Sequence, residues 1–118
     1  LIAYERPDLF GQKKSRYRIV KVGDADELRE MLSTVLGIRA VVPKTRQLFI
    51  AKGVRIHLDR VDGLGRFIEF EGVAGADGSG DLERFEKLLT ELRHAFGIRE
   101  DDLLAESYSD LVLALARP

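Results

Sequence analysis

The 118-residue sequence has no cysteine, no tryptophan, a single methionine, two histidines and three prolines. Without cysteine, thiol catalysis, cysteine-based zinc sites and disulfide scaffolds are excluded. His57 and His94 are too few for a multi-histidine metal centre. Apolar runs are no longer than stretches such as Leu111 to Ala116, far short of the roughly 20 residues that a membrane-spanning helix needs. Charge of one sign is not in excess either: 19 Lys and Arg stand against 20 Asp and Glu, a formal charge of −1. That balance argues against bulk nucleic-acid binding and leaves any anion site to local pattern. There is no Walker A sequence, no dinucleotide fingerprint and no Gly-x-Ser-x-Gly nucleophile elbow. Asp77, Ser79 and Asp81 approach a calcium loop, but Leu82 stands where its glycine belongs and Leu88 where its bidentate acid belongs. What is present, 45% hydrophobic and 33% charged residues, describes one soluble globular domain. At this length about 65% of the unfolded chain's surface can be buried, enough for a core without staples.

The chain starts at Leu1 and its only methionine is Met31, so it is expected to be a processed product or a portion of a longer protein. Leu1 to Tyr4 lacks the basic and apolar regions of a signal peptide, and a cytoplasmic location is expected. Two segments carry a helical period. After Asp24, a capping residue with Glu27 three positions on, apolar residues fall at Leu28, Met31, Leu32, Val35 and Leu36, and Gly37 should end the helix. A second helix runs from about Asp81 with Phe85, Leu88, Leu89, Leu92 and Phe96 on one face and Gly97 at its end. Both close with Gly-Ile-Arg, which fits either shared capping chemistry or a duplicated unit. His94 falls in the last turn, where positive charge is favourable. A third, short helix is expected within Glu106 to Ala116, capped by Ser107 or Ser109.

Elsewhere the period is two. Leu1 to Arg6, Arg16 to Val22, Ile38 to Val42, Thr45 to Ala51, Val54 to Val61 and Arg66 to Val73 read as six strands. Asp62-Gly63-Leu64-Gly65 joins the last two in a hairpin, and Ala74 to Gly80 reads as a mobile loop. Along the strand from Val54, apolar Val54, Ile56 and Leu58 alternate with Arg55, His57 and Asp59. The returning strand sets Ile68 and Phe70 against Glu69 and Glu71, and Lys44 and Arg46 project together from the preceding one. Alternation leaves two readings open. The charges are either a solvated sheet face paired across strands, or the inner face of a closed sheet that binds an anion with metal ions. In the second reading Lys44, Arg46 and Arg55 hold phosphate oxygens, and Asp59, Glu69 and Glu71 hold Mg²⁺ or Mn²⁺. His57 is open between a site residue and a hydrogen-bonded structural one.

The string from Val54 to Glu71, Val-Arg-Ile-His-Leu-Asp-Arg-Val-Asp-Gly-Leu-Gly-Arg-Phe-Ile-Glu-Phe-Glu, closely resembles the second half of CYTH domains, the group of class IV adenylyl cyclases and thiamine triphosphatases. Tyr4-Glu5-Arg6-Pro7-Asp8, Ser15-x-Tyr17, Val42-x-Lys44-x-Arg46 and Glu106-Ser107-Tyr108-Ser109-Asp110-Leu111 extend the resemblance over almost the whole chain. It implies an α+β fold with an antiparallel β-barrel, the triphosphate tunnel, flanked by helices. It also implies that Arg6, Lys44, Arg46 and Arg55 contact the triphosphate, while Asp59, Glu69 and Glu71 serve a divalent metal and catalysis. The substrate would be ATP, thiamine triphosphate or tripolyphosphate, with no nucleic-acid or membrane partner and with a homodimer left open. The family's Glu-x-Glu-x-Lys strand is not found here, so the single domain is expected to lack its N-terminal strands. A non-catalytic triphosphate-binding module is the competing expectation.

Overall fold

A computed structural model describes residues 1–7, 11, 13–73 and 82–116. Its α+β architecture divides into two compact units, Leu1–Val41 with Ala105–Pro118, and Val42–Leu104.

The first unit holds β1 (Ile2–Glu5) and β2 (Arg16–Ile19), an antiparallel pair in which Tyr4 faces Tyr17 and Ile2 faces Ile19. It also holds α1 (Ala25–Leu36) and α3 (Tyr108–Leu115). Asp24 caps α1 as its sequence requires, its carboxylate accepting from the Glu27 N–H at 2.9 Å. Gly37, at φ +75°, returns its N–H to the Ser33 carbonyl. Ser107 is the cap of α3. Its side chain accepts from the Asp110 N–H, and Asp110 bonds back to the Ser107 N–H and hydroxyl in a capping box. The bond from the Ser107 hydroxyl, followed by that from its N–H, holds the Asp110 carboxyl below the usual aspartate range, and Arg39 and Arg6 act in the same direction.

The second unit is built on one three-stranded antiparallel sheet, β3 (Lys44–Ala51), β4 (Val54–Val61) and β5 (Gly65–Gly72), with β4 central. Lys52 and Gly53, both at positive φ, make the two-residue turn between β3 and β4 that pairs Ala51 with Val54. α2 (Leu82–Ala95) packs on the face that carries Ile56, Phe70 and Gly72. The rings of Phe70 and Phe96 lie 5.5 Å apart. At the end of α2, Gly97 donates to His94 and Ile98 to Arg93, the paired bonds of a Schellman motif. The two Gly-Ile-Arg endings therefore close their helices differently, one bond against two. A 3₁₀ turn at Glu100–Asp102 follows, which hydrophobic period did not signal.

Several expectations change. Ile38 to Val42 forms no strand: it runs into Pro43, which has no N–H to donate, and the ladder starts at Lys44, with the Pro43 carbonyl accepting from Asp62 at 3.0 Å. β2 stops at Ile19 instead of Val22. The described strands are all antiparallel, as the α+β expectation has them, in one two-stranded and one three-stranded sheet. The loop expected at Ala74 to Gly80 and the helix start at Asp81 lie outside the described residues, as does Asp8.

At Gly72, β5 lies close against the Phe85 ring of α2. A Cβ there would lie 2.7 Å from Cδ1 and 2.9 Å from Cγ of Phe85. Gly72→Ala is expected to destabilise the unit by about 1–3 kcal/mol, as overpacking does. Denaturant unfolding checks it: the midpoint falls with the slope unchanged, and an unmoved midpoint would mean that the Phe85 ring swings aside freely.

Candidate functional site

Residues paired directly across an antiparallel ladder project from the same face, so the register sorts every side chain of the second unit's sheet. Arg46 faces Asp59 and Leu48 faces His57 between β3 and β4. His57 faces Glu69 and Arg55 faces Glu71 between β4 and β5. Lys44, Arg46, Arg55, His57, Asp59, Glu69 and Glu71 therefore share one face, and Ile56, Leu58, Ile68 and Phe70 share the other. The helix takes the apolar face. The charged one is left for chemistry.

Asp59 is its electrostatic centre. The Asp59 side chain is fully buried, and Arg46 donates to both its oxygens, from Nε and Nη2, at 2.6 Å each. The Lys44 ammonium stands 3.9 Å away. The same Arg46 Nη2 reaches Glu69 at 3.0 Å, so one guanidinium ties β3 to both β4 and β5. Arg55 pairs with Glu71 at 3.4 Å. Two of these ties cross the sheet between directly opposed residues, Arg46 to Asp59 and Arg55 to Glu71, as cross-strand pairing expects.

His57 sits on the central strand between the two glutamates and is only 7% exposed. Its Nδ1 lies 3.6 Å from Glu69 Oε2 and its Nε2 3.7 Å from Glu71 Oε2, both beyond good hydrogen-bonding distance. Nδ1 is buried without a hydrogen-bond partner. Alternation placed His57 on this face but could not show that it would be enclosed. Arg6 belongs to the first unit, where its charge acts on Asp110.

Lys44, Arg46 and Arg55 on this face balance Asp59, Glu69 and Glu71. A polyanion gains little net attraction from a balanced face, and cations brought with it would strengthen its binding. The carboxylates are hard oxygen donors of the type that Mg²⁺ and Mn²⁺ take. Each is already engaged by a guanidinium, and among the described residues no group of three or more His, Asp or Glu side chains is gathered so as to hold a metal ion. The donors fit a hard divalent cation by type, provided that an anion draws the guanidiniums away.

No protein-family model matches the chain. A Methanocaldococcus jannaschii protein named "Putative adenylate cyclase MJ0240" is 28% identical over 116 residues, which cover 93% of this chain and 63% of that protein. The chain thus spans less than two thirds of the curated relative that it matches. Among solved structures, a conserved hypothetical protein from Pyrococcus furiosus is similar in fold, with a TM-score of 0.70 at 21% identity over 94% of this chain and 66% of the other. The PH1819 protein of Pyrococcus horikoshii OT3 is 35% identical, with a TM-score of 0.57 over 91% of this chain and 58% of its own. Among the described residues no helix is long and apolar enough to cross a membrane.

Proposed function

We propose that this chain is part of a CYTH-type enzyme that processes a triphosphate compound with Mg²⁺ or Mn²⁺, most like a class IV adenylyl cyclase that converts ATP to cyclic AMP and pyrophosphate. The observation that carries the reading is the balanced face of three cations and three carboxylates, with Arg46 shared between Asp59 and Glu69. The relative named as a putative adenylate cyclase supports the cyclase branch. The closed triphosphate tunnel and a cytoplasmic setting belong to the same proposal.

On that reading, phosphate oxygens compete for Lys44, Arg46 and Arg55, since guanidinium binds phosphate in the same forked manner as carboxylate. Asp59, Glu69 and Glu71, freed of these cations, would be the oxygen donors that hold a divalent cation. The cation, when bound, neutralises charge on the phosphoryl oxygens. For cyclisation, the ribose 3′-hydroxyl attacks the α-phosphorus, its proton passes to a carboxylate of this set, and the bond to the departing pyrophosphate breaks. The three cationic side chains hold the charge that collects on the leaving group. For hydrolysis, a water attacks the terminal phosphorus in the same cradle, its proton passes to a carboxylate of this set, the bond to the bridging oxygen breaks, and inorganic phosphate and the diphosphate compound are released.

A second reading, a module that binds triphosphate without turnover, is favoured by the acids' being tied to guanidiniums and not gathered for a metal. One experiment separates the readings. The protein is titrated with ATP, thiamine triphosphate and tripolyphosphate, with and without Mg²⁺ or Mn²⁺, and the products are resolved. Cyclic AMP with pyrophosphate supports the cyclase, released inorganic phosphate the triphosphatase, and saturable binding without product the module. No binding of any of the three would remove the proposal.

A further inference from the structure

A neutral imidazole carries one N–H and one lone pair, yet both ring nitrogens of His57 face carboxylates, Glu69 at 3.6 Å and Glu71 at 3.7 Å. The ring can satisfy only one of them. The other acid meets a lone pair and is pushed toward its own cation, Arg46 for Glu69 or Arg55 for Glu71. Enclosure of the ring makes this choice matter, because water does not reach Nδ1 to relieve it. We propose that His57 is the positioning residue of the Glu69–Glu71 pair: its single N–H holds one glutamate against β4 and leaves the other to turn, so that the two acids differ in orientation before a cation arrives. The part of this that concerns a cation rests on the function proposed above. The proton shared between the two acids does not.

The strands fix the arrangement. Glu69 is opposed to His57 in the ladder and Glu71 follows it two residues on, so both carboxylates reach the ring from β5 and neither can leave its side of the sheet. Leu48, opposed to His57 on β3, offers no competing acceptor from its side chain. His57 thus has an acceptor facing each ring nitrogen, one of which a small side-chain turn would bring into hydrogen-bonding distance, and as a neutral ring one proton to give.

The first test needs no ligand. The ring nitrogens of His57 are ¹⁵N-labelled and observed under conditions in which their shifts report the neutral ring. In Glu71→Gln the proton is expected on Nδ1, facing Glu69, with the glutamine amide donating to the bare Nε2. In Glu69→Gln it is expected on Nε2, facing Glu71. The same tautomer in both variants would overturn the proposal. The second test uses Mn²⁺ and tripolyphosphate as probes on the whole protein. His57→Leu is expected to raise the Mn²⁺ concentration for half-saturation by about 10- to 100-fold, as loss of a residue that orients metal ligands does. Metal-free tripolyphosphate affinity should stay within about threefold, and His57→Gln, which keeps a donor and an acceptor, should recover most of the loss. Equal losses with and without metal, unrelieved in His57→Gln, would reduce His57 to packing and overturn the proposal. If the unaltered protein binds neither probe, the proposed function fails, and the tautomer exchange still decides the role of His57.

Discussion

On the function proposed above, Glu69→Gln with Glu71→Gln is expected to lower metal-dependent turnover by at least about 100-fold while strengthening metal-free binding of tripolyphosphate. The two effects have opposite signs because the face is balanced. Removing both carboxylate charges changes its sum from zero to +2 and frees Arg46 and Arg55 of acidic partners at 3.0 and 3.4 Å. A unit charge roughly 8 Å from a phosphate, at an effective dielectric of about 40, is worth roughly 1 kcal/mol, or about fivefold in affinity for each acid removed. Against this, a hard divalent cation loses two anionic oxygens, and the amides that replace them keep size without charge. Loss of several kcal/mol of charge stabilisation at the phosphoryl group corresponds to at least about 100-fold in rate. Both glutamates are partly exposed, so the folded state should survive the double substitution with little change. Isothermal titration with and without Mn²⁺, beside a rate assay on the substrate that the unaltered protein prefers, checks both signs. Weaker binding in the absence of metal would show that these acids organise the cradle and do not oppose the anion.

The opposition of charged and apolar faces was legible because β4 is central: its alternation of Arg55, His57 and Asp59 with Ile56 and Leu58 is repeated by the strand beside it. The helices were legible from their apolar period together with Asp24, Ser107 and Gly97 at their ends. Exact pairing was not. It depends on the turn at Lys52 and Gly53, the two residues left between the strands expected at Thr45 to Ala51 and Val54 to Val61, where a lysine takes the left-handed conformation that asparagine or glycine ordinarily supplies, so the residue pair does not signal the turn type. One residue more in that loop would set Asp59 opposite a neighbour of Arg46. The strand expected at Ile38 to Val42 shows the converse, a β-rich run with no ladder, because Pro43 follows it and β propensity reflects packing against neighbours more than backbone preference. Nor did periodicity reveal that His57 would be enclosed. Burial of a polar residue follows from what surrounds the sheet, and a pattern along one strand does not contain that.

Arg46→Met should destabilise the second unit by about 3 kcal/mol, the cost of leaving a buried carboxylate without its partner. The Asp59 side chain has no exposure and receives both hydrogen bonds of the Arg46 fork at 2.6 Å. Two features keep the figure at the low end of that range: Lys44 stands 3.9 Å from the same carboxylate, and the Arg46 side chain is one third exposed. Adding Asp59→Leu removes the stranded charge, so the double variant should recover most of the lost stability, as replacement of a buried ion pair by apolar residues commonly does. Stability and binding then part company. If the pair serves only to tie β3 to β4, the double variant regains tripolyphosphate affinity together with its unfolding midpoint. If Arg46 also holds phosphate, affinity stays low by at least about tenfold while stability returns, since the fork that binds a phosphate bidentately is gone. Urea unfolding of the two single variants and the double, set beside tripolyphosphate titrations of the same proteins, measures both quantities. Joint recovery would remove Arg46 from the proposed cradle and leave it a structural tie between strands.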